Sequence, residues 1–470
     1  RLSAGERYDQ FKRAKRGEIQ IMVGPRSALF TPFSNLGLII IDEEHEQSYK
    51  SENSPRYHAR ETALYRAQME NARLVLGSAT PSLEAYTKAK NGEFRLVKLK
   101  ARFEDRPLPK VSVVDLREEL REGNRSVLSR SLTNAIENRL ECGEQAILFL
   151  NRRGYAGFVS CRSCGEVLKC PHCDVALTEH NNGRLVCHYC GYEQPRVEKC
   201  PVCGSPYIGG FKAGTQQIEQ VLHKNFPKAR ILRMDYDTTR AKGSYEKILS
   251  SFAAHAADIL VGTQMIVKGH DFPDVTLVGA LAADLSLNAA DYRCAERTFQ
   301  LLTQAVGRSG RGTKPGEAII QSYHPDHYSI RTAAEQDYEA FYEQEMEYRR
   351  MLLYPPVWNM LVILCASKQE QTAYDSAKLL VQEIDTWQEN IKAAMERVGE
   401  DFKKKRVFPV GPADPAVAKV NDIYKKVIYI KTKDYQTLVE LKDRLEHYMR
   451  DNRAFKDTVV QFDFNPMSGF

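Results

Sequence analysis

The sequence has no long hydrophobic run. Nothing in its 470 residues approaches the roughly 18 consecutive apolar positions that a membrane-spanning helix needs, so no membrane partner is expected. It also lacks a strong charge imbalance. Its 67 basic and 61 acidic residues leave a net charge of +6, which permits a nucleic-acid partner without demanding one. It has neither an initiator methionine nor an apolar leader, opening Arg1-Leu2-Ser3-Ala4-Gly5-Glu6. That opening predicts a piece whose N-terminal part is missing. No internal repeat occurs apart from pairs of cysteines. What is present is an ordinary globular composition, 43% hydrophobic and 27% charged. The length corresponds to roughly three domains.

Cysteine is the exception to this plainness. Eight of the 11 lie between Cys161 and Cys203, as four CxxC pairs: Cys161/Cys164, Cys170/Cys173, Cys187/Cys190 and Cys200/Cys203. Disulfide frameworks belong to short secreted chains, whereas this pattern in a long chain without a leader reads as metal binding. Structural Zn²⁺ takes four ligands, so four pairs make two sites. Residues 174–186 separate the inner pairs and include the turn-forming His180-Asn181-Asn182-Gly183. This favours a nested arrangement, Cys170, Cys173, Cys187 and Cys190 inside Cys161, Cys164, Cys200 and Cys203. Sequential pairing is the alternative. His172 and His188 are surplus to two four-thiolate sites, and Cys142, Cys294 and Cys365 read as ordinary buried residues.

The rest alternates strand and helix patterns, which predicts an α/β architecture. A capping box at Ser3 and Glu6 opens a helix. Ile19–Val23 reads as a short strand. Leu36–Ile41 and Arg73–Gly77 read as strands buried on both faces. Pro107 and Pro109 mark a linker. A second series follows: Ala146–Leu150, Arg230–Met234, Asp258–Gly262, Thr276–Leu281 and Ala318–Gln321, with helices at 215–226 and 291–306. The cysteine block interrupts this series like a loop insertion. Beyond Tyr354-Pro355-Pro356 the order is Met360–Ala366 (strand), Thr372–Arg397 (helix), Lys425–Ile430 (strand), 434–451 (helix) and Thr458–Phe464 (strand). That is a small α+β domain. The expected boundaries are 1–110, 111–345 with the cysteine insertion at 160–207, and 346–470.

Four short segments carry chemistry. Asp42-Glu43-Glu44-His45 ends a buried strand, and ligands collect at that edge of open α/β sheets. Asp42 suits Mg²⁺, and Glu43 suits activation of an attacking water. Gly77-Ser78-Ala79-Thr80-Pro81 ends the next strand, where its hydroxyls can bond the acidic motif. Gly262 to Pro273 offers Thr263, Gln264, Lys268 and backbone donors to a phosphate backbone. Gln304, Arg308 and Arg311 are spaced to share one helical face. The glycines around them weaken a helix by ~1 kcal/mol each, which makes sense where another surface approaches closely. An arginine aimed at a γ-phosphate is worth ~10³–10⁵ in rate.

Taken in order, these segments resemble the motifs of superfamily 2 helicases, with Phe149–Tyr155 as a further one. The resemblance narrows at FLNRRGY running into four CxxC pairs, and at Arg233–Thr239, GTQMIVKGHDFPDVTLV and Glu296–Gln304. These are similar to the primosomal protein N′ family of bacterial replication-restart helicases, over essentially the whole chain. The resemblance implies tandem RecA-like helicase lobes, the first incomplete, a zinc-ribbon insertion with two Zn sites, and a C-terminal α+β domain like ribosomal protein S10. It implies an ATP-dependent 3′-to-5′ DNA helicase that binds stalled forks, unwinds lagging-strand duplex and initiates primosome assembly. It assigns ATP and Mg²⁺ to Asp42, Glu43, Gly269, Gln304, Arg308 and Arg311. The aromatic and basic stretch Tyr49, Lys50, Tyr57, His58 and Arg60 becomes a loop coupling single-stranded DNA to hydrolysis; stacking on such rings is worth ~1–3 kcal/mol per base. The implied partners are forked, single-stranded and duplex DNA, single-stranded DNA-binding protein, primosome proteins and the replicative helicase loader. The implied location is the cytoplasm, with the nucleoid. The zinc ribbons are expected to engage duplex ends and primosome partners.

The chain departs from that family in two places. No GxxxxGK[ST] phosphate loop occurs; the resemblance places it upstream of residue 1, so the chain by itself is expected not to hydrolyse ATP. In the last domain Asp422-Ile423-Tyr424-Lys425-Lys426 replaces an Arg-aromatic run, leaving Lys419, Lys425, Lys426 and the 403–406 cluster as the available charge. Two rival readings are a non-enzymatic DNA- and protein-binding scaffold, and a helicase acting on RNA.

Overall fold

The computed structural model describes residues 3–99, 107–150, 159–172, 176–179, 184–187, 190–209, 214–241, 243–267, 272–287, 291–399 and 401–467. Asn151–Tyr155, Cys173, the 180–183 turn, His188, Lys268 and Gly269 lie outside the described residues. The chain forms two compact units, one ending at Leu96 and one beginning at Val97.

The first unit opens with α1 (Ala4–Lys15), and the expected capping box is there: Ser3 Oγ accepts the Glu6 N–H while Glu6 accepts the Ser3 N–H at 2.6 Å. Ile19–Val23 is not a strand. Ile21 and Val23 are 80% and 91% exposed, and among the described residues no strand pairs with them. The unit's sheet is the parallel pair β1 (Leu38–Ile41) and β2 (Arg73–Leu76), in register Leu38 to Arg73 and Ile41 to Leu76. α2 (Ala59–Met69) connects them and packs on both; α3 (Leu83–Lys90) follows. Ile41 is buried. The opposite face, with Leu38, Ile40 and Val75, lies open at 51%, 64% and 49% exposure, so these strands are not buried on both faces as their apolar runs suggested.

The second unit is built on β3 (Lys110–Asp115), α4 (Leu116–Arg121), α5 (Arg130–Glu141), β4 (Gln145–Leu150), the short cysteine-region strands β5 (Ser160–Cys161), β6 (Thr178–Glu179), β7 (Arg184–Val186), β8 (Glu193–Pro195) and β9 (Ile208–Gly209), then α6 (Thr215–Asn225), β10 (Ile231–Met234), α7 (Ser244–Ala253), β11 (Ile259–Gly262), β12 (Val275–Leu281), α8 (Asp284–Leu287), α9 (Cys294–Val306), β13 (Glu317–Ser322), α10 (Tyr328–Glu335) and α11 (Tyr338–Met351). A six-stranded parallel sheet runs β10-β11-β4-β12-β13-β3. Every residue of β4, β11 and β12 is buried, as a sheet covered on both faces requires. Leu132 and Ile136 of α5 and Ile218 and Leu222 of α6 pack into this core; truncating one such leucine to alanine costs about 2–5 kcal/mol.

The C-terminal part contributes β14 (Asn359–Ser367), α12 (Glu370–Val398), β15 (Phe408–Ala413), β16 (Lys419–Val420), β17 (Ile423–Thr432), α13 (Tyr435–Asp451) and β18 (Thr458–Phe464). Its antiparallel sheet runs β15-β17-β14-β18, and α12 and α13 cover one face through Leu380, Ile384, Leu438 and Leu441. The other face meets the cysteine region. Cys170, Cys187, Leu177 and Leu185 share one core with Met360, Val362, Val427 and Tyr429. The cysteine region also meets the chain just past β13, at Gly165, where a Cβ would stand 2.6 Å from the Tyr323 carbonyl oxygen, and its Val167 and Ala176 join the core of the parallel sheet.

Candidate functional site

The acidic motif sits on the turn that ends β1. Glu43 adopts a left-handed backbone (φ 47°) and its N–H folds back onto Asp42 Oδ1 at 2.9 Å. The Glu44 N–H donates to the Gly77 carbonyl at 3.0 Å, fixing the turn to the end of β2. The three acidic side chains then diverge. Asp42 is exposed and offers a hard oxygen of the type Mg²⁺ prefers. Glu43 Oε2 is shielded yet accepts no hydrogen bond, with His45 Nδ1 3.6 Å away. An orphaned acceptor beside an exposed carboxylate fits a metal-bound phosphate and its attacking water. Glu44 is buried instead. It accepts from Arg60 Nη1 at 2.9 Å, from the Ser82 N–H at 2.6 Å and from the Ser82 hydroxyl at 3.0 Å. Glu44 therefore joins the turn to α2 and to the N-cap of α3. His45 Nδ1 lies 2.7 Å from Ser78 Oγ, a direct link between the acidic motif and the Gly77–Pro81 segment.

The aromatic stretch is a loop pinned at both ends. The Tyr49 hydroxyl donates to the Asp42 carbonyl at 2.7 Å. Burial, followed by the charges of Asp42, Glu46, Glu43 and Glu44, raises the Tyr49 phenol above its ordinary pKa, so it stays a donor. Arg26 Nη1 donates to the carbonyls of Ser48 and Lys50, both at 2.7 Å. Ser51 and Tyr57 pair through a 2.8 Å backbone bond, and Lys50 bridges His58. Tyr57 packs edge-on against Phe30 at 5.2 Å. His58 Nδ1 accepts the Arg60 N–H at 3.2 Å and caps α2; burial, then the Arg60 charge, pushes its pKa down to about 3. Tyr49, Tyr57 and His58 thus each have a structural engagement, and the exposed tip is 52–55. Sequence reasoning missed Arg26, Ser82 and the role of Glu44, and it placed Arg60 in the DNA-facing basic stretch, whereas its side chain is buried against Glu44. The signal available for Arg26 was its place in Gly24-Pro25-Arg26-Ser27, just ahead of the acidic strand.

In the second unit, Thr263 follows β11 and Gln264 begins a single helical turn, Gln264–Val267. Gln304 lies on α9, but the helix stops at Val306 with Gly307 as its cap. Arg308 and Arg311 therefore lie beyond the helix, not on the expected continuous face, because the Gly-Arg-Ser-Gly-Arg-Gly run breaks it. Arg311 Nε donates back to the Gly307 carbonyl at 3.0 Å. The glycines admit the chain's own backbone: a Cβ on Gly312 would sit 2.3 Å from the Pro273 carbonyl oxygen.

The thiols gather in two groups. Cys161, Cys164, Cys200 and Cys203 form one, and Cys170, Cys187 and Cys190 form the other, with sulfurs within 4.8 Å of one another in each. The Cys161–Cys203 separation is 3.6 Å, and Cys164–Cys200 and Cys170–Cys190 are 3.5 Å. A tetrahedron with Zn–S bonds of about 2.3 Å puts its sulfurs roughly 3.8 Å apart, so both groups fit zinc. Burial pushes the Cys164 and Cys170 thiols up to about 12; a divalent cation is the charge that would hold them as thiolates.

Comparison with known proteins agrees with this geometry. Residues 170–195 match the PriA DNA helicase Cys-rich region (CRR) domain, and 210–313 match the helicase conserved C-terminal domain. The chain is 48% identical to the replication restart protein PriA of Bacillus subtilis over 99% of its length and 56% of that protein. It is 42% identical to that of Synechocystis, over 99% of the chain and 55% of the protein. It is 37% identical to that of Treponema pallidum, over 99% of the chain and 68% of the protein. The chain thus spans little more than half the length of the first two relatives. With its zinc-ribbon cysteines, its parallel helicase sheet and this likeness along nearly its whole length, the chain belongs to the replication restart protein PriA family.

Proposed function

We propose that this chain supplies the hydrolytic acids, the second motor lobe, the zinc module and the C-terminal domain of an ATP-dependent 3′-to-5′ DNA helicase of replication restart. Mg²⁺, when bound, would neutralise phosphate charge; Asp42 is the residue to hold it. Glu43 Oε2 takes the proton of the attacking water. Gln304, Arg308, Arg311 and Gly269 serve the nucleotide, the arginines as cations at the γ-phosphate. Thr263, Gln264 and Lys268 contact the DNA backbone. Lys50 and the 52–55 tip meet single-stranded DNA, and Tyr49 passes that event to Asp42. Cys161, Cys164, Cys200 and Cys203 hold one zinc; Cys170, Cys173, Cys187 and Cys190 hold the other. The protein partners are single-stranded DNA-binding protein, primosome proteins and the helicase loader.

The observation that carries this reading is the 2.7 Å bond from Tyr49 to the Asp42 carbonyl. It joins the loop suited to DNA directly to the backbone of the acid pair. The test uses a form that also carries the upstream region found in the relatives. Glu43→Gln is expected to abolish ATP hydrolysis and unwinding of forked DNA while single-stranded DNA binding persists. Hydrolysis at the parental rate would reject the assignment. Unwinding of RNA duplexes but not DNA forks would reject the substrate.

A further inference from the structure

The helix that leads to Arg308 and Arg311 is held at its other end by the last residues of the C-terminal domain. After β18, Asn465 turns the chain with a left-handed backbone (φ 45°) and is fixed to β14: its N–H donates to the Met360 carbonyl at 2.7 Å, and its Oδ1 accepts the Met360 N–H at 2.8 Å. The next two carbonyls reach α9. The Pro466 oxygen accepts from Arg293 Nε and from the Tyr292 hydroxyl, both at 3.3 Å, and the Met467 oxygen accepts from Arg297 Nη2.

These two arginines belong to a network of charges around the first turn of α9. Arg297 pairs with Asp291 at 2.7 Å, Arg293 with Glu296 at 3.4 Å, and Arg349 of α11 with Glu296 at 3.2 Å and Glu345 at 2.5 Å. Arg293 and Arg349 are 2% and 0% exposed. Among the described residues three cations face three anions in these pairs, so their charges balance without the Asn465–Met467 segment. The Pro466 and Met467 carbonyls are then added acceptors from another part of the chain, and they neutralise nothing. Their effect is positional: they set where the first turn of α9 sits.

We infer that the Asn465–Met467 segment is a strap and that Arg293 and Arg297 are positioning residues, so that the C-terminal domain governs the placement of Arg308 and Arg311 through α9. This rests on the nucleotide role proposed above for those arginines. α9 has 13 residues, a rod of about 20 Å, and a packed helix transmits a shift at one end to the other. A misplacement of about 1 Å costs on the order of 10²-fold in rate.

The strap is tested by deleting residues 466–470, and separately by Arg297→Ala and Arg297→Lys. Hydrogen exchange is measured on the chain itself, together with zinc content and the urea midpoint read by tryptophan fluorescence. ATP turnover is measured in the form that carries the upstream region. For the deletion, the inference expects faster exchange in the first turn of α9 and kcat lowered by roughly 10–100-fold, with KM for ATP, zinc content and the urea midpoint unchanged. Arg297→Ala also strips the buried Asp291 of this partner and is expected to lower the midpoint, so it is read by exchange and kcat against Arg297→Lys. Arg297→Lys, which keeps a cation donor, is expected to recover most of the loss of Arg297→Ala. Parental exchange together with parental kcat overturns it. A fall in the deletion's urea midpoint that accounts for its lost turnover also overturns it, since the segment would then be structural only. Arg308→Ala separates the two readings. If that variant hydrolyses ATP at the parental rate, the nucleotide role of Arg308 fails and exchange in α9 alone decides the strap. If it is inactive and the deletion is fully active, only the strap fails.

Discussion

Glu43 and Glu44 are adjacent, chemically identical residues with opposite expected responses to the same substitution. Glutamine keeps the shape and removes the charge. At Glu44, 2% exposed, the change leaves the 5%-exposed Arg60 guanidinium to Glu61, 3.1 Å from its Nε, and replaces one of the two acceptor oxygens facing the Ser82 N–H and hydroxyl. Breaking a buried pair on one side costs about 3–5 kcal/mol. Glu44→Gln retains part of the hydrogen bonding, so about 3 kcal/mol is the expected loss. At Glu43 the side chain is 45% exposed and Oε2 accepts nothing, so Glu43→Gln is expected to change stability by less than about 0.5 kcal/mol. The assay is urea unfolding read unit by unit. Both tryptophans, Trp358 and Trp387, lie in the second unit, so their fluorescence serves as an internal control and is expected not to move. Hydrogen exchange of β1 and α2 reports the first unit. With m near 1 kcal/mol per M for a small unit, its midpoint is expected to fall by roughly 2–3 M in Glu44→Gln alone. The double replacement Glu44→Leu with Arg60→Met removes both buried charges and is expected to recover much of the loss. Equal midpoints for the two glutamine variants would refute the division of roles, as would a tryptophan transition that moves with Glu44.

Tyr49→Phe keeps the ring and deletes the bond to Asp42; in the form carrying the upstream region it is expected to bind single-stranded DNA normally but to lose most DNA stimulation of ATP hydrolysis. Metal analysis is expected to find two zinc ions per chain. Because the ligands are thiolates whose protonation competes with the metal, a chromophoric chelator is expected to draw zinc off faster as pH falls, never as it rises. Gly312→Ala, with its Cβ 2.3 Å from the Pro273 oxygen, is expected to destabilise the second unit by several kcal/mol in the tryptophan-monitored transition. Gly5→Ala, with nothing within 4 Å, is expected to be neutral or mildly stabilising.

Local chemistry was legible in the sequence. The capping box at Ser3, the fully apolar strands of the parallel sheet and the α+β order of the last domain depend on neighbours a few residues apart. The thiol clusters were legible too, since metal-ligand spacing is short-range. Errors came where pairing decides. Ile19–Val23 has a strand's composition but no partner. Lys110–Asp115 and Phe408–Ala413 are strands hidden by flanking or internal prolines, and both lie at sheet edges where proline is tolerated. At the candidate site, the divergence of Asp42, Glu43 and Glu44 could not be read from their order along the chain. It depends on Arg60 and Ser82, 16 and 38 residues away. No helix among the described residues is long and apolar enough to cross a membrane.

The core shared by the cysteine region and the C-terminal sheet has a consequence for the history of each molecule. Leu177 and Leu185, next to the inner thiols, complete the packing of Met360, Val362 and Tyr429. The C-terminal sheet follows the cysteine region along the chain and packs on a surface that bound zinc would order, so metal capture and completion of the C-terminal domain are expected to form one cooperative event. A chain made during zinc shortage presents an unfinished hydrophobic face, which proteases and chaperones recognise. The amount of this protein in a cell should therefore follow the free zinc available during its synthesis, even when transcription and the motor chemistry are unchanged.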